Sequence, residues 1–279
     1  MNPLVTATWL ASRLGDPDIA VLDATLPPVG VTPVVDTRAK YMERHIPGAI
    51  FFDIEEFSDR SSLLPHMLPT TEAFSREISK LGVGDGMTIV VYEQEGVFSA
   101  PRAWWMFRTF GAKTVLVLDG GLRGWVEGGF PVVSGPVQRT PASFNAVLDA
   151  GAVTDFAQIQ RRIAAGGQIL DARSSGRFNG SLPEPRAGIA SGHMPGATSV
   201  PFSELVDEGR LKSAERLRAL FSAKNVDTEE PITTTCGSGV TAAVIALGLE
   251  VAGARNVSLY DGSWAEYAQR PEAVIERKG

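Results

Sequence analysis

Cysteine is almost missing from this chain: one thiol, Cys236, in 279 residues. An internal disulfide is therefore excluded, and the pattern fits a reducing cytoplasm. An excess of basic charge is also lacking. The net charge of -6 argues against nucleic acid as a partner, because phosphate binding shows as a basic surface. No window of about 20 apolar residues offers a membrane span. The amino-terminal stretch MNPLVTATWLASRLGDPD has no basic segment followed by a sustained apolar run, so no secretory signal is expected. What is present is ordinary for a folded chain, with 44% hydrophobic and 21% charged residues. The length suits two domains, each large enough for its own core.

The sequence repeats itself. IAVLDAT at 19–25 matches QILDARS at 168–174, placing Asp23 opposite Asp171, 148 residues on. HIPGAIFFDI from His45 matches HMPGATSVPF from His193 at the same spacing. TIVVYEQEGVFSAPRAWW then parallels PITTTCGSGVTAAVIALG, and VLVLDGGLRGW parallels NVSLYDGSWAEY. Matches that recur in one order define a duplicated unit. The proline-bearing stretch FPVVSGPVQRTPASF separates the copies, giving a first domain over 1–135, a linker over 136–145 and a second domain over 146–279. Each copy alternates β-rich runs with helical ones, which predicts an α/β fold, a mainly parallel sheet with helices on both faces. Gly111 and Gly253 mark helix ends that favour positive φ.

Cys236 stands where PITTT should end and a helix from about Val240 to Val251 should begin. Sites in parallel sheets form beyond the carboxyl ends of the strands. Gly237 and Gly239 allow successive N–H groups to turn inward, and the helix start adds a positive end, so the loop CGSGVT favours a sulfur anion. An inert, buried thiol would want apolar packing, which two glycines and a serine do not offer. In the first copy Glu93 takes the cysteine position, so that copy is expected to be catalytically silent. Cysteine phosphatases need an arginine six residues after the thiol, where this chain has Ala242. A cysteine hydrolase needs a histidine base and an oxyanion hole, and a redox pair needs a second cysteine. Transfer of sulfane sulfur through a persulfide fits a lone thiol.

The segments HIPGAIFFDI, LPHMLP, GVFSAPRAWWMFRTFG, DARSSGRFNGSLPEPRAGIASGHMPGA and CGSGVTA together span most of the chain. On them it resembles the tandem-domain sulfurtransferases of the rhodanese superfamily, on their mercaptopyruvate-using side. The resemblance implies two rhodanese-like domains, a persulfide on Cys236, and no metal or organic cofactor. It implies 3-mercaptopyruvate as donor and a thiol such as thioredoxin or glutathione, or cyanide, as acceptor. Thiosulfate-preferring members carry a basic loop of the type CRKGVTA, whereas Gly237 and Ser238 here are neutral. They also tend to have PEPD where this chain reads PEPR, which makes Arg186 discriminating. Arg177 and Arg186 match the arginines that hold the donor's carboxylate and ketone, with Gly237, Ser238, Gly239, Val240 and Thr241 cradling the outer sulfur. Ser238, His66 and Glu55 match a proton relay, with Glu55 one methylene longer than the usual aspartate. Thiosulfate transfer, or delivery of sulfur to a protein partner, is the alternative.

Other conspicuous residues have structural readings. His45 and His193 occur in both copies, the active and the silent, and so belong to the fold. Arg173 is expected to make structural contacts, and Trp104 and Trp105 to pack in a core or between domains.

Overall fold

The computed structural model describes residues 2–27, 29–30 and 33–277. The chain divides into two compact units. One holds residues up to 60, 68–149 and 208–211; the other holds 61–67, 150–207 and 212 onward.

The first unit carries β1 (Leu4–Val5), β2 (Ile19–Asp23), β3 (Ile50–Phe51), β4 (Thr88–Tyr92) and β5 (Thr114–Leu118). Its helices are α1 (Ala7–Ala11), α2 (Thr37–Glu43), α3 (Thr71–Lys80), α4 (Ala100–Thr109) and α5 (Gly121–Glu127). The sheet order is β1-β5-β4-β2-β3, with every pair parallel. Strand β2 is buried along its whole length. A strand covered on both faces reads as a continuous apolar run rather than an alternating one, as IAVLD does. Residues 139–149 lie back over this unit: Arg139 donates to the Ile19 carbonyl at 2.8 Å, and Phe144 is buried edge-on against Phe74. Trp104 and Trp105 are buried on α4.

The second unit carries β6 (Val153–Thr154), β7 (Gln168–Asp171), β8 (Thr198–Ser199), β9 (Val206–Asp207), β11 (Ile232–Thr235) and β12 (Val257–Tyr260), while β10 (Arg210–Leu211) falls in the segment grouped with the first unit. Its helices are α6 (Phe156–Ala164), α7 (Ser175–Asn179), α8 (Ala214–Ala223), α9 (Ala242–Ala252) and α10 (Ser263–Tyr267). The order β6-β12-β11-β7-β8 is again parallel throughout and is the same permutation as in the first unit. The duplicated sequence thus folds as a duplicated topology. In both sheets the central strand, β4 or β11, is the one that ends at Glu93 or Cys236. Gly111 and Gly253 have φ of 89° and 112° just past α4 and α9, as a helix-ending glycine requires. Helix α9 begins at Ala242 rather than Val240 because Val240 and Thr241 still belong to the turn.

The paired histidines do the same work twice. His45 Nδ1 donates to the Tyr41 carbonyl at 2.8 Å, and its ring stacks on Tyr41 at 4.2 Å. His193 Nδ1 donates to the Phe178 carbonyl at 2.9 Å and stacks on Phe178 at 4.0 Å. Each also forms an isolated antiparallel bridge, His45 with Val133 and His193 with Glu276. His193→Phe keeps the stack and loses the hydrogen bond, so it should lower unfolding stability by about 1–3 kcal/mol. Urea denaturation at pH 7.5 measures this, and an unchanged midpoint would mean the ring contact alone suffices.

Candidate active site

Strand β11 delivers Cys236 to the carboxyl end of the second sheet, and the sulfur-bearing residue is buried. Its loop is held from outside by its carbonyl groups. The Cys236 carbonyl accepts from the Trp264 N–H and the Gly237 carbonyl from the Ala265 N–H, each at 2.9 Å. In a trans peptide C=O and N–H point opposite ways. The N–H groups of Gly237 and Ser238 are therefore turned away from α10. Gly239 has φ of 80°, which continues the turn with a backbone that only glycine adopts freely. Among the described residues, the N–H groups of Gly237, Ser238, Val240 and Thr241 donate to no protein acceptor, although Ser238 and Val240 are buried. Buried amides are almost always paired in folded proteins. A row of them left open just before a helix start is a receptor for an anion.

The first unit supplies the control. The Glu93 carbonyl accepts from the Leu122 N–H at 2.8 Å, the counterpart of the Cys236–Trp264 bond, so the two residues are structurally equivalent. Here the loop closes on its own side chain. The Glu93 carboxylate accepts from the N–H groups of Phe98, Ser99 and Ala100 and from the Ser99 hydroxyl. Burial pushes the Glu93 carboxyl up to about 7 against the pull of those hydrogen bonds. One copy of the loop is filled by an internal acid; the other has a thiol and open amides.

Arg177 and Arg173 occupy one network but stand differently in it. Arg173, fully buried, forks onto Asp171, donates to Glu184 at 2.8 Å and to the Gly192 carbonyl at 2.7 Å, and lies 4.1 Å over the Trp264 ring. Its donors are spent inside the unit, a structural role. Arg177 keeps about a fifth of its side chain exposed and pairs through Nε and Nη2 with Glu184. Its Nη2 lies 2.8 Å from the point where a side chain at position 237 would begin. Arg177 is therefore at the cysteine loop. The edge formed by Nε and Nη2 is taken by Glu184, which leaves the Nη1 end for a further contact. Arg186 is half-buried on the loop beyond Glu184.

His66 is buried at a left-handed φ of 60°, in a segment that belongs with the second unit. Its Nδ1 lies 3.2 Å from the Ser238 carbonyl. A carbonyl only accepts, so the neutral ring carries its proton on Nδ1 and its lone pair on Nε2. The contact runs to the backbone of Ser238, not its hydroxyl. Glu55 is exposed in the first unit, where its N–H donates to Asp53 at 3.1 Å.

Two residues went unremarked in the sequence. Glu184 is the acid that joins Arg173 to Arg177. Ser263 is fully buried at φ of 48°, and its Oγ accepts from the Cys236 N–H at 3.3 Å while donating to the Tyr260 carbonyl at 2.8 Å. The repeat held a signal for Ser263: its counterpart Gly121 has φ of 57°. A serine where the first copy has glycine holds a strained backbone, and its hydroxyl is engaged by the Cys236 N–H.

A model of the rhodanese-like domain matches residues 6–128 and 155–270. The chain belongs to the rhodanese family. This rhodanese tandem is 45% identical to a human 3-mercaptopyruvate sulfurtransferase, over 98% of the chain and 94% of the human protein. It is 43% identical to a bovine thiosulfate sulfurtransferase, over 98% and 95% of the two chains. The crystal structure of SseA, a 3-mercaptopyruvate enzyme of Escherichia coli, superposes with a TM-score of 0.87 at 43% identity, covering 95% of this chain and 100% of that one.

Glu93 makes a pH-dependent contribution of known sign. Its carboxyl moves from 4.5 to about 7 on folding. The protonated form therefore favours the folded state fully below pH 4.5, and that advantage is lost as pH rises through 7, about 3 kcal/mol in all. Glu93→Gln cannot titrate. Its stability relative to wild type should rise by roughly that amount between pH 4.5 and 8 in urea titrations, and a constant difference would refute the buried-acid assignment.

Proposed function

We propose that this protein moves sulfane sulfur from 3-mercaptopyruvate to a thiol or cyanide acceptor through a persulfide on Cys236, releasing pyruvate. The observation that carries the reading is the pair of equivalent loops, one closed on the Glu93 carboxylate and one open around Cys236. The open loop suits a sulfur anion and the terminal sulfur of a persulfide.

In the first half-reaction the Cys236 thiolate attacks the donor's sulfur. The S–S bond forms, the C–S bond breaks, and the electron pair leaves on the three-carbon fragment as the pyruvate enolate. The donor's thiol proton is lost from sulfur and a proton is gained at carbon, which gives pyruvate and an anionic persulfide. Arg177, through its Nη1 end, and Arg186 hold the donor's carboxylate and ketone. Gly237 to Thr241 supply N–H groups to the outer sulfur. His66, with Nε2 as its basic nitrogen, moves the proton beside Ser238. An acceptor thiolate, from thioredoxin or glutathione, or cyanide then removes the outer sulfur and regenerates the thiolate. None of these steps calls on a metal or organic cofactor. No helix among the described residues is long and apolar enough to cross a membrane, and a nucleophile kept as a free thiol suits the cytoplasm.

Overall identity does not select the donor, since relatives named for either donor match at 45% and 43%. Local charge does. Thiosulfate is a dianion that calls for cations in the loop, and Gly237 and Ser238 provide none; a keto acid calls for arginines flanking the loop, and Arg177 and Arg186 provide them.

Intact-mass spectrometry after addition of mercaptopyruvate should show one added sulfur atom on wild type, removed by cyanide, and none on Cys236→Ser. Wild type that stays unmodified while consuming donor would overturn the persulfide route. Ser238→Lys places a cation in the neutral loop and should raise the ratio of thiosulfate to mercaptopyruvate kcat/KM on the order of tenfold. An unaltered ratio would remove loop charge as the determinant.

A further inference from the structure

We infer that Glu184 is the positioning residue that fixes the Arg177 guanidinium at the Cys236 loop, and that its contribution to the reaction passes through Arg177. The inference rests on the reading above, in which Arg177 holds the sulfur donor.

Arg177 sits on α7, a single turn closed by Gly180 at φ of 84°. A long, partly exposed side chain on one helical turn has several rotamers of similar energy. Something must select the one that reaches Gly237. Glu184 is the fixed point. Its side chain is only 4% exposed although it lies on an irregular loop, and a carboxylate so placed needs partners. It has them on both sides: Arg173 Nη1 at 2.8 Å, and Arg177 through Nε at 3.1 Å and Nη2. Two contacts to one planar guanidinium fix its plane as well as its place.

The anchor extends to the sheet. Asp171 ends β7, Arg173 forks onto it, and Glu184 takes the remaining arm of Arg173. The line Asp171, Arg173, Glu184, Arg177 alternates in charge and sums to zero, so it can be buried without an uncompensated ion. A second branch leaves Arg173 through the Trp264 ring, and the Trp264 N–H binds the Cys236 carbonyl. The nucleophile and the arginine that faces it thus hang from the same buried guanidinium. In the first unit Thr25 takes the place of Arg173, and Asp23 is held there by Thr25 and Gln94 instead. The charged line belongs to the unit that carries the thiol.

Glu184→Gln preserves shape and one acceptor oxygen while weakening the fork, and near-ultraviolet circular dichroism checks that it folds. With mercaptopyruvate, KM should rise about tenfold and kcat should stay within about threefold, the pattern for lost donor binding. The effect should disappear when the substitution is made in Arg177→Ala. A parallel measurement needs no sulfur donor. The ratio of alkylation rates of the single thiol by iodoacetate and iodoacetamide reports the charge facing Cys236. Glu184→Gln should change that ratio at least threefold in wild type and leave it unaltered in Arg177→Ala. An equal effect in both backgrounds, or a folded Glu184→Gln with wild-type KM and alkylation ratio, would overturn the inference. Failure of wild type to consume mercaptopyruvate would overturn the functional reading instead, and the alkylation cycle would still decide the role of Glu184.

Discussion

The structure turns on the need to satisfy N–H groups where the central strand of a parallel sheet meets the next helix. In the first unit the need is met from within, by Glu93 and the amides of Phe98, Ser99 and Ala100. In the second, the shorter loop CGSGVT has no acid to fold back, and its carbonyls are drawn outward by α10 and His66. An unmet amide in a buried place costs free energy until an anion arrives. In the proposed transfer the sulfur at the strand end supplies that anion, and a persulfide would carry the charge one atom farther along the same row. The same backbone design thus gives a closed structural turn or a sulfur site, according to which side chain ends the strand.

Much of this was legible in the sequence because duplication makes errors visible. Asp23 and Asp171, His45 and His193, and the two central strands recur in register, and they fold alike. ITTT is a weak strand signal beside IVVY, yet all four residues are buried, and Thr233 bonds Ser258 on the neighbouring strand at 3.0 Å. Alignment with the apolar copy supplied what composition withheld. What stayed hidden depends on tertiary approach. That Glu184 joins two arginines requires the loop after α7 to return against β7, and nothing in NGSLPEPR states that return. That His66 meets a backbone carbonyl requires residues 61–67 to leave the unit in which they are encoded and associate with the other. Ser263 had a trace in the repeat: it stands opposite Gly121, whose φ is also positive.

The charges of the two units differ in a way that follows from their tasks. Asp23 and Glu93 in the first unit are both shifted upward by burial, and no cation is brought to either. Asp171 and Glu184 in the second are each met by Arg173. If the first unit is silent, as its Glu93 suggests, it can tolerate acids that take up protons, because no reaction depends on their charge. A unit that must hold an anionic donor beside an anionic sulfur needs its cations fixed in place and number at the working pH, and arginine keeps its charge throughout. Arg173 is buried and paired on both sides, whereas Arg177 is only partly shielded, as the proposed contact with a donor requires.

This division also explains why relatives of both donor types can share so much of the chain. None of the sheet, the paired histidines, the aromatic cores or the buried line from Asp171 to Glu184 depends on which donor places sulfur before Cys236 in the proposed reaction. In the reading proposed above, choice of donor rests on residues that add or withhold charge around that line: Gly237 and Ser238 within the loop, and Arg186 beyond it. A change of one unit charge at a few ångströms in a partly buried site is worth a kilocalorie or more, enough for about a tenfold preference. Against a shared scaffold of this size, so few positions scarcely alter percentage identity. Specificity in such a family is therefore read from the local field at the thiol, and in this chain that field is neutral in the loop and basic at its flank.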